Sequence, residues 1–157
     1  MTNKIVIFDL DGTLADISKR RALASFTKND KKKMNWKTFF APENISLDEP
    51  NTPVIESFKA LQSAGHTMVI FSGRDSISLK ESTQWLNDNG IFPDFFQMRV
   101  QGTHTPDDIL KLGWLDELEV NGLGKNDVMC VFDDRDKVVK MWRESGIPCF
   151  QVAPGNF

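Results

Sequence analysis

The sequence predicts an α/β fold, a doubly wound, Rossmann-like parallel sheet of about five strands. Short apolar runs rich in β-branched and aromatic residues alternate with segments of helical periodicity. The first run does not alternate between apolar and polar residues, which is typical of a strand buried on both faces. Such alternation of strands and helices gives a parallel sheet with helices on both sides. The five predicted strands are Lys4–Phe8, Thr67–Phe71, Phe95–Val100, Val128–Phe132 and Pro148–Val152.

Helix signals fill the intervals between these strands. Thr52 is expected as an N-cap, with Pro53 at the first helical position and Gly65 as the stop. Asp75 is a candidate cap for a helix that ends near Gly90. A third helix begins at Thr105-Pro106, and a fourth follows Arg135 and stops at Gly146.

Residues 17–51 interrupt this pattern. Their periodicity is weak, and basic residues alternate there with aromatic ones. We expect an insertion that lies over the end of the first strand as a small lid, because long irregular insertions in compact domains are often functional. Within it we expect a short helix at Asn35–Phe40, a loop over Pro42–Pro53, and a solvated lysine run. Residues 1–157 together are expected to form one domain.

Composition limits the class of protein. The chain has 157 residues, a net charge of −3 and 40% apolar residues, which is ordinary for a globular domain and argues against a strongly basic nucleic-acid clamp. No apolar run approaches the roughly 20 residues that span a bilayer, and we expect neither a leader nor a membrane partner. Cys130 and Cys149 are expected as buried free thiols in a reducing cytoplasm.

The first strand ends in two carboxylates, Asp9 and Asp11, followed by Gly12 and Thr13. Because side chains alternate along extended backbone, both carboxylates should face one pocket, with the Leu10 side chain turned away and its carbonyl free for a cation. Ligands of parallel α/β sheets bind beyond the carboxyl ends of such strands. Two aspartates at the end of a strand often serve only to form a turn. In this chain, however, similar features recur after other predicted strands.

Four features are expected to meet at this edge of the sheet: Asp9 with Asp11, Ser72, Lys111, and Asp133 with Asp134. Clustered carboxylates repel one another and need a cation. Hard oxygen ligands, without sulfur or paired histidines, select Mg²⁺. Because Mg²⁺ keeps coordination places for water and phosphate oxygens, this predicts phosphate chemistry.

The order and identity of these residues resemble the haloacid dehalogenase-like (HAD) phosphohydrolases. That resemblance implies that Asp9 is a nucleophile forming an aspartyl-phosphate and that Asp11 is the general acid and base. It implies that Ser72 and Lys111 hold the phosphate oxygens. The expected metal ligands are Asp9, the Leu10 carbonyl, Asp11, Asp133 and Asp134.

A narrower resemblance is to the phosphatase domains of bacteriophage polynucleotide kinase/3′-phosphatases. It is carried by Ser72-Gly73-Arg74, by Asp107 to Lys111, by residues 131–143 and by residues 151–157. It implies phosphate or substrate contacts by Thr13, Ser72, Gly73, Arg74, Arg20 and Asp107. Asp107 lies four residues before Lys111 on a predicted helix and could orient it, with a surface ion pair as the alternative.

The expected activity is a Mg²⁺-dependent phosphatase acting on nucleic acid ends, as a polynucleotide 3′-phosphatase, or on nucleotides. The alternatives are a nucleotidase, a small-metabolite phosphatase, a receiver-like signalling domain and a catalytically silent nucleic-acid-binding module. Trp36 or Phe39 could stack on a base or simply pack in the core. We expect a cytoplasmic protein. The resemblance to phage enzymes also allows a phage-encoded protein that works in the host cytoplasm. The sequence leaves open whether the substrate is a polymer or a free nucleotide, whether it is DNA or RNA, and whether the phosphate is 3′ or 5′. The oligomeric state is open as well.

Overall fold

The core of the protein is a five-stranded parallel sheet in the order β7-β6-β1-β8-β9. The computed structural model describes residues 3–157. It confirms the predicted α/β class and the five predicted strands, with ends that differ by a few residues. Within the described residues the strands are β1 (Ile5–Phe8), β2 (Ala15–Asp16), β3 (Ser25–Lys28), β4 (Lys31–Met34), β5 (Glu49–Pro50), β6 (Thr67–Asp75), β7 (Phe95–Arg99), β8 (Val128–Asp133) and β9 (Cys149–Gln151).

The helices cover both faces of this sheet. They are α1 (Ser18–Ala24), α2 (Trp36–Phe39), α3 (Thr52–Ser63), α4 (Leu79–Asp88), α5 (Asp107–Val120) and α6 (Asp136–Glu144). The N-cap of α3 is Asn51 rather than Thr52, one residue earlier than predicted. Asp75 caps a short 3₁₀ helix that leads into α4, its side chain accepting a hydrogen bond from the Ile77 amide. None of the helices in the described part of the chain has the length and apolar character needed to cross a membrane.

Strand β1 divides the core between the two faces. Val6 and Phe8 belong to an apolar cluster with residues of α3 and α4. Ile5 and Ile7 belong to a second cluster with residues of α5 and α6. Successive side chains of a strand point to opposite faces, so a strand buried on both sides needs an uninterrupted apolar run. For this reason β1 could be predicted from the sequence although its residues do not alternate between apolar and polar.

The insertion is more regular than the sequence predicted. It contains α1, an antiparallel hairpin of β3 and β4, α2, and a 3₁₀ helix over Pro42–Leu47 where we expected a loop. Asn35 caps α2 by accepting a hydrogen bond from the Thr38 amide. These elements are short and polar, so the apolar periodicity that identifies longer elements is absent from them.

Both cysteines lie in the sheet as buried free thiols, as predicted. Burial raises the pKa of Cys130 to about 11. Burial, reinforced by the charge of Asp133, raises the pKa of Cys149 to about 12. At neutral pH both side chains are therefore un-ionised and behave as small apolar groups of the core.

Candidate active site

The predicted site residues lie where three neighbouring strands end. Asp9 follows β1, Ser72 lies in the last part of β6, and Asp133 is the last residue of β8. The order of the sheet reverses at β1, which has β6 on one side and β8 on the other. In open α/β sheets, the crevice at such a reversal is the usual ligand site. The topology thus brings together residues that are up to 124 positions apart in the sequence.

Three aspartates form an acidic cluster at this edge. Carboxylate oxygens of Asp9, Asp133 and Asp134 lie within 4.8 Å of one another, and all three residues are buried. Lys111 reaches them from α5, and its Nζ donates hydrogen bonds to Asp9 Oδ1 at 2.9 Å and to Asp133 Oδ2 at 2.8 Å. The structure therefore brings Lys111 to the cluster although it lies on a different element from each aspartate.

The electrostatics of the cluster fit a divalent cation. Burial raises the pKa of Asp9 well above its ordinary value, opposed by Lys111 and reinforced by the two other carboxylates. Burial and the charge of Asp133 also raise the pKa of Asp134, to about 6. Burial would lower the pKa of Lys111, but Asp133 and Asp9 raise it above its usual value. When all three carboxylates are ionised, the single ammonium of Lys111 leaves two negative charges, and an all-oxygen donor set suits Mg²⁺.

The turn after β1 brings Asp134 close to the backbone. Gly12 has φ of +80°, and a Cβ there would lie 2.2 Å from Asp134 Oδ2. Only glycine meets both conditions. The prediction that the Leu10 carbonyl is free to bind a cation was wrong. In the same turn this carbonyl accepts hydrogen bonds from the amides of Thr13 at 3.2 Å and Ala15 at 2.9 Å. Both lone pairs are thus used within the turn, and that carbonyl is not free for a metal ion.

The carboxylate of Asp11 is held by two arginines. Arg20 Nη2 donates to Asp11 Oδ1 at 2.6 Å, and Arg74 donates to the same oxygen through Nε and Nη2. Burial would raise the pKa of Asp11, but Arg74 and then Arg20 outweigh it and lower this pKa to about 2. The prediction of Asp11 as a metal ligand does not fit this position, because its carboxylate is engaged by guanidinium groups.

Asp48, which sequence reasoning missed, holds the same two arginines from the other side. Its Oδ1 accepts a hydrogen bond from Arg20 Nε at 2.9 Å. Its Oδ2 accepts from Arg20 Nη2 at 3.0 Å and from Arg74 Nη2 at 2.9 Å. All three side chains are buried. An aspartate in a polar stretch carries no local signal of such a role, and only the folded insertion brings it to Arg74.

The remaining predicted residues have defined partners. Thr13 Oγ1 donates to Asp9 Oδ2 at 3.2 Å. The buried Ser72 hydroxyl accepts a hydrogen bond from the Arg74 amide at 3.2 Å. A Cβ at Gly73 would lie 2.6 Å from Asp107 Oδ1, so the absence of a side chain lets that carboxylate approach.

Asp107 does not contact Lys111, contrary to the expected pairing. Its Oδ1 accepts a hydrogen bond from Arg99 Nη2 at 2.5 Å, and its Oδ2 accepts from Arg135 Nη1 at 2.7 Å. Lys111 instead reaches the acidic cluster, where two carboxylates are within hydrogen-bonding distance. Arg99 and Arg135 are further residues of the site that the sequence did not single out.

A large cleft opens above the acidic cluster. Its volume is about 1490 Å³, which exceeds the roughly 300–1,000 Å³ of small-molecule pockets. Asp9, Asp11 and Lys111 lie on one part of its wall. The insertion supplies another part, including four basic residues and no acidic one: Arg21, Lys32, Lys33 and Lys37. The cleft therefore joins the acidic cluster to a positively charged wall.

The two aromatics predicted to contact a base differ in exposure. Both line the cleft, but Phe39 is 5% exposed and Trp36 is 59% exposed. Phe39 packs against the Arg20 guanidinium, 4.4 Å from its ring centroid, and its carbonyl accepts a hydrogen bond from Arg20 Nη1. Phe39 is thus part of the packed core, whereas the Trp36 ring is open to a ligand.

Comparison with known proteins identifies the family. The family model described as the polynucleotide kinase PNKP phosphatase domain matches residues 31–157. The chain belongs to this phosphatase-domain family. It is accordingly a phosphoric monoester hydrolase with a HAD-like fold, and the predicted resemblance is confirmed.

Two similar proteins match this chain over only part of their own length. A putative bifunctional polynucleotide kinase/RNA ligase of Autographa californica nuclear polyhedrosis virus is 30% identical over 148 residues, which are 92% of this chain and 18% of the viral protein. A chain of the Pnkp1/Rnl/Hen1 complex has 30% identity and a TM-score of 0.75 over 99% of this chain and 48% of that one. The chain thus spans less than half the length of these relatives.

More distant structures share the fold alone. A HAD-like hydrolase from Streptococcus pneumoniae has a TM-score of 0.68 and 14% identity, covering 95% of this chain and 84% of that one. A phosphoserine phosphatase, solved as a phospho-aspartyl intermediate analogue, has a TM-score of 0.59 and 14% identity over 94% of this chain and 86% of that one. These structures support the predicted fold class.

The buried contacts of Asp48 give a prediction for stability. Asp48→Asn is expected to lower the free energy of unfolding by about 3 kcal/mol, because removing one partner of a buried ion pair leaves uncompensated charge on Arg20 and Arg74. Urea unfolding, monitored by circular dichroism, measures this free energy of unfolding. Glu49→Gln is the matched control, since the neighbouring Lys19–Glu49 pair is exposed, and its unfolding midpoint should stay at the wild-type value. A wild-type midpoint for Asp48→Asn would mean that Asp11 alone holds the two arginines.

Proposed function

We propose that this protein is a Mg²⁺-dependent phosphatase that removes the terminal 3′-phosphate of a polynucleotide through an aspartyl-phosphate on Asp9. The observation that carries the proposal is the buried cluster of Asp9, Asp133 and Asp134, in which Lys111 donates hydrogen bonds to Asp9 and Asp133, on the wall of a cleft that also carries basic residues. Membership of the PNKP phosphatase-domain family supports the same choice of substrate.

In the first step, an oxygen of Asp9 attacks phosphorus and the bond from phosphorus to the nucleoside oxygen breaks. Lys111 holds Asp9 by a direct hydrogen bond and is placed to neutralise charge on the transferring phosphoryl group. Thr13 holds the other oxygen of Asp9. Asp11 delivers a proton to the leaving oxygen.

In the second step, water attacks phosphorus of the aspartyl-phosphate and gives a proton to Asp11. Inorganic phosphate leaves, and Asp9 is restored as a carboxylate. Arg20 and Arg74 favour the ionised form of Asp11, which is the form that a base requires. For the first step Asp11 must carry a proton, and we propose that Arg74, which lines the cleft, shifts part of its contact to the substrate phosphate at that point.

The residues that would hold Mg²⁺ are Asp9, Asp133 and Asp134. When bound there, the ion would favour ionised Asp9 and neutralise the charge of the phosphate oxygens. A cation at this place is supported by the buried surplus of negative charge that Lys111 alone leaves uncompensated.

Phosphate release from a matched panel tests the substrate. The panel holds 12-nucleotide oligomers with a 3′-phosphate or a 5′-phosphate, and free 3′- and 5′-monophosphates, each assayed with Mg²⁺ or with EDTA. We expect the highest kcat/KM on the 3′-phosphorylated oligomers and no turnover in EDTA. A higher kcat/KM on a free monophosphate would make the protein a nucleotidase. If none of the four substrates is hydrolysed in the presence of Mg²⁺, the proposal is overturned.

A further inference from the structure

Residues 25–34 form a basic hairpin that projects from the insertion. Strands β3 and β4 pair antiparallel, and Asn29 and Asp30 at the turn have φ of 51° and 57°. Two adjacent left-handed residues are the hallmark of a two-residue hairpin turn that matches strand twist. The register of the hairpin is therefore well defined, and so is the face on which each side chain lies.

Three of its lysines share one face with an aromatic residue. Lys28 pairs directly with Lys31, and Phe26 pairs directly with Lys33. Cross-strand partners point to the same side of a sheet, as do residues two apart along a strand. Phe26, Lys28, Lys31 and Lys33 thus form one surface, and all four are exposed, Phe26 by 44%.

The positive charge on this face is not neutralised by ion pairs within the described residues. Residues 28–37 contain five lysines and one aspartate, in a chain of net charge −3. Among the ion pairs of residues 3–157, none involves Lys28, Lys31 or Lys33. Like charges directly opposite each other, such as Lys28 and Lys31, destabilise a hairpin. An anionic ligand would relieve that repulsion.

The basic hairpin is continuous with the cleft. Lys33 is the residue of this face that lines the cleft, and Trp36 lines the cleft as well, whereas Lys32 and Met34 line it from the opposite face of the hairpin. A chain of phosphates that leaves the acidic cluster can therefore reach this face at Lys33. A face that combines cations with an exposed ring suits single-stranded nucleic acid, whose phosphates bind lysines and whose bases stack on aromatic rings.

We propose that the face formed by Phe26, Lys28, Lys31 and Lys33 binds the single strand that lies 5′ of the reacting phosphate. This rests on the proposed function and deepens it, because it makes the preferred substrate a polymer several nucleotides long. Binding is independent of sequence, since phosphates and ring faces are common to all nucleotides. The hairpin contributes affinity for the strand and no group to the chemical steps.

Oligomers of 1, 2, 4, 8 and 12 nucleotides with a 3′-phosphate test this binding face. For the wild type, kcat/KM should rise with length and then level off. For the triple variant Lys28→Gln/Lys31→Gln/Lys33→Gln, the rise should disappear, with a loss of about tenfold or more on the 12-mer and none on the mononucleotide. The slope of log(kcat/KM) against log salt should shrink by about 2, because each lysine contributes about 0.7 for a single strand.

The matched control is Lys80→Gln/Lys125→Gln/Lys140→Gln. These lysines are exposed, lie outside the cleft and change the net charge equally. The control should keep the wild-type dependence on length. Length-independent kcat/KM for the wild type, or equal losses in both triple variants, would overturn the proposed binding face.

A binding measurement separates failure of the hairpin from failure of the proposed activity. Fluorescence anisotropy of a labelled 12-mer without a 3′-phosphate reports on strand binding without any turnover. We expect the hairpin variant to bind at least tenfold more weakly than the control variant at low salt. If the wild type releases no phosphate from any 3′-phosphorylated substrate but this difference remains, the proposed activity fails and the binding face stands.

Discussion

Asp9→Asn is expected to lower phosphate release by at least about 10⁴-fold and to leave the fold intact, since loss of the attacking group removes the covalent route altogether. Asparagine has the shape of aspartate, so the hydrogen bond donated by Thr13 and the packing at the end of β1 can persist. Its amide cannot attack phosphorus. The replacement also removes one negative charge from a cluster in which burial already raises the pKa of Asp9.

Two measurements check this expectation. The first is the rate of phosphate release from a 3′-phosphorylated oligomer. The second is acid quenching with a ³²P-labelled substrate, which should leave label on the wild-type protein and none on Asp9→Asn. Asp16→Asn is the control, because Asp16 is an exposed aspartate of the same segment whose carboxylate accepts hydrogen bonds from the amide and the hydroxyl of Ser18. Activity of Asp9→Asn above about 1% of wild type would exclude Asp9 as the nucleophile.

The central sheet could be predicted from the sequence because its strands are buried on both faces. Such a strand must be an uninterrupted apolar run, and a run of that kind is visible without any knowledge of its neighbours. The acidic residues at the strand ends were visible for a related reason. They directly follow those runs, and the topology of a parallel sheet places all such ends at one edge.

The insertion could not be predicted to the same depth. Its helix α1 is held by contacts of Arg20 with Asp11 and Asp48, which lie 9 and 28 positions away in the sequence. Asp48 itself occupies a short polar segment after a 3₁₀ helix, and nothing in its local sequence distinguishes it from a surface residue. Interactions of this kind are set by the tertiary structure, and local patterns do not record them.

Two local predictions were wrong for the same physical reason. The Leu10 carbonyl was expected to be free, but the turn that reverses the chain after Asp11 uses it as an acceptor. Asp107 was expected to pair with Lys111 one helical turn away, but two arginines from other elements reach Asp107 instead. A backbone acceptor or a carboxylate takes the strongest donor that the folded chain brings to it, whatever the spacing along the sequence.

Asp11→Asn is expected to lower kcat by about 10²–10⁴-fold on a 3′-phosphorylated oligomer, which is the usual contribution of a general acid and base. The loss should depend on the leaving group. p-Nitrophenolate leaves without needing a proton, so p-nitrophenyl phosphate requires no acid in the first step and still requires a base in the second. With that substrate the variant should release a burst of about one nitrophenol per enzyme molecule and then turn over slowly, as the aspartyl-phosphate accumulates.

Rapid-mixing absorbance measures this burst, and acid quenching measures the trapped phosphoenzyme. The charge balance explains why asparagine is the informative replacement: it keeps an oxygen for Arg20 and Arg74 but removes the group that carries the proton. An equal loss on both substrates, without a burst, would assign Asp11 to positioning the arginines and would leave the proton transfer to another group. A burst would separate the two roles, because only a base that acts on the attacking water makes the second step slow while sparing the first.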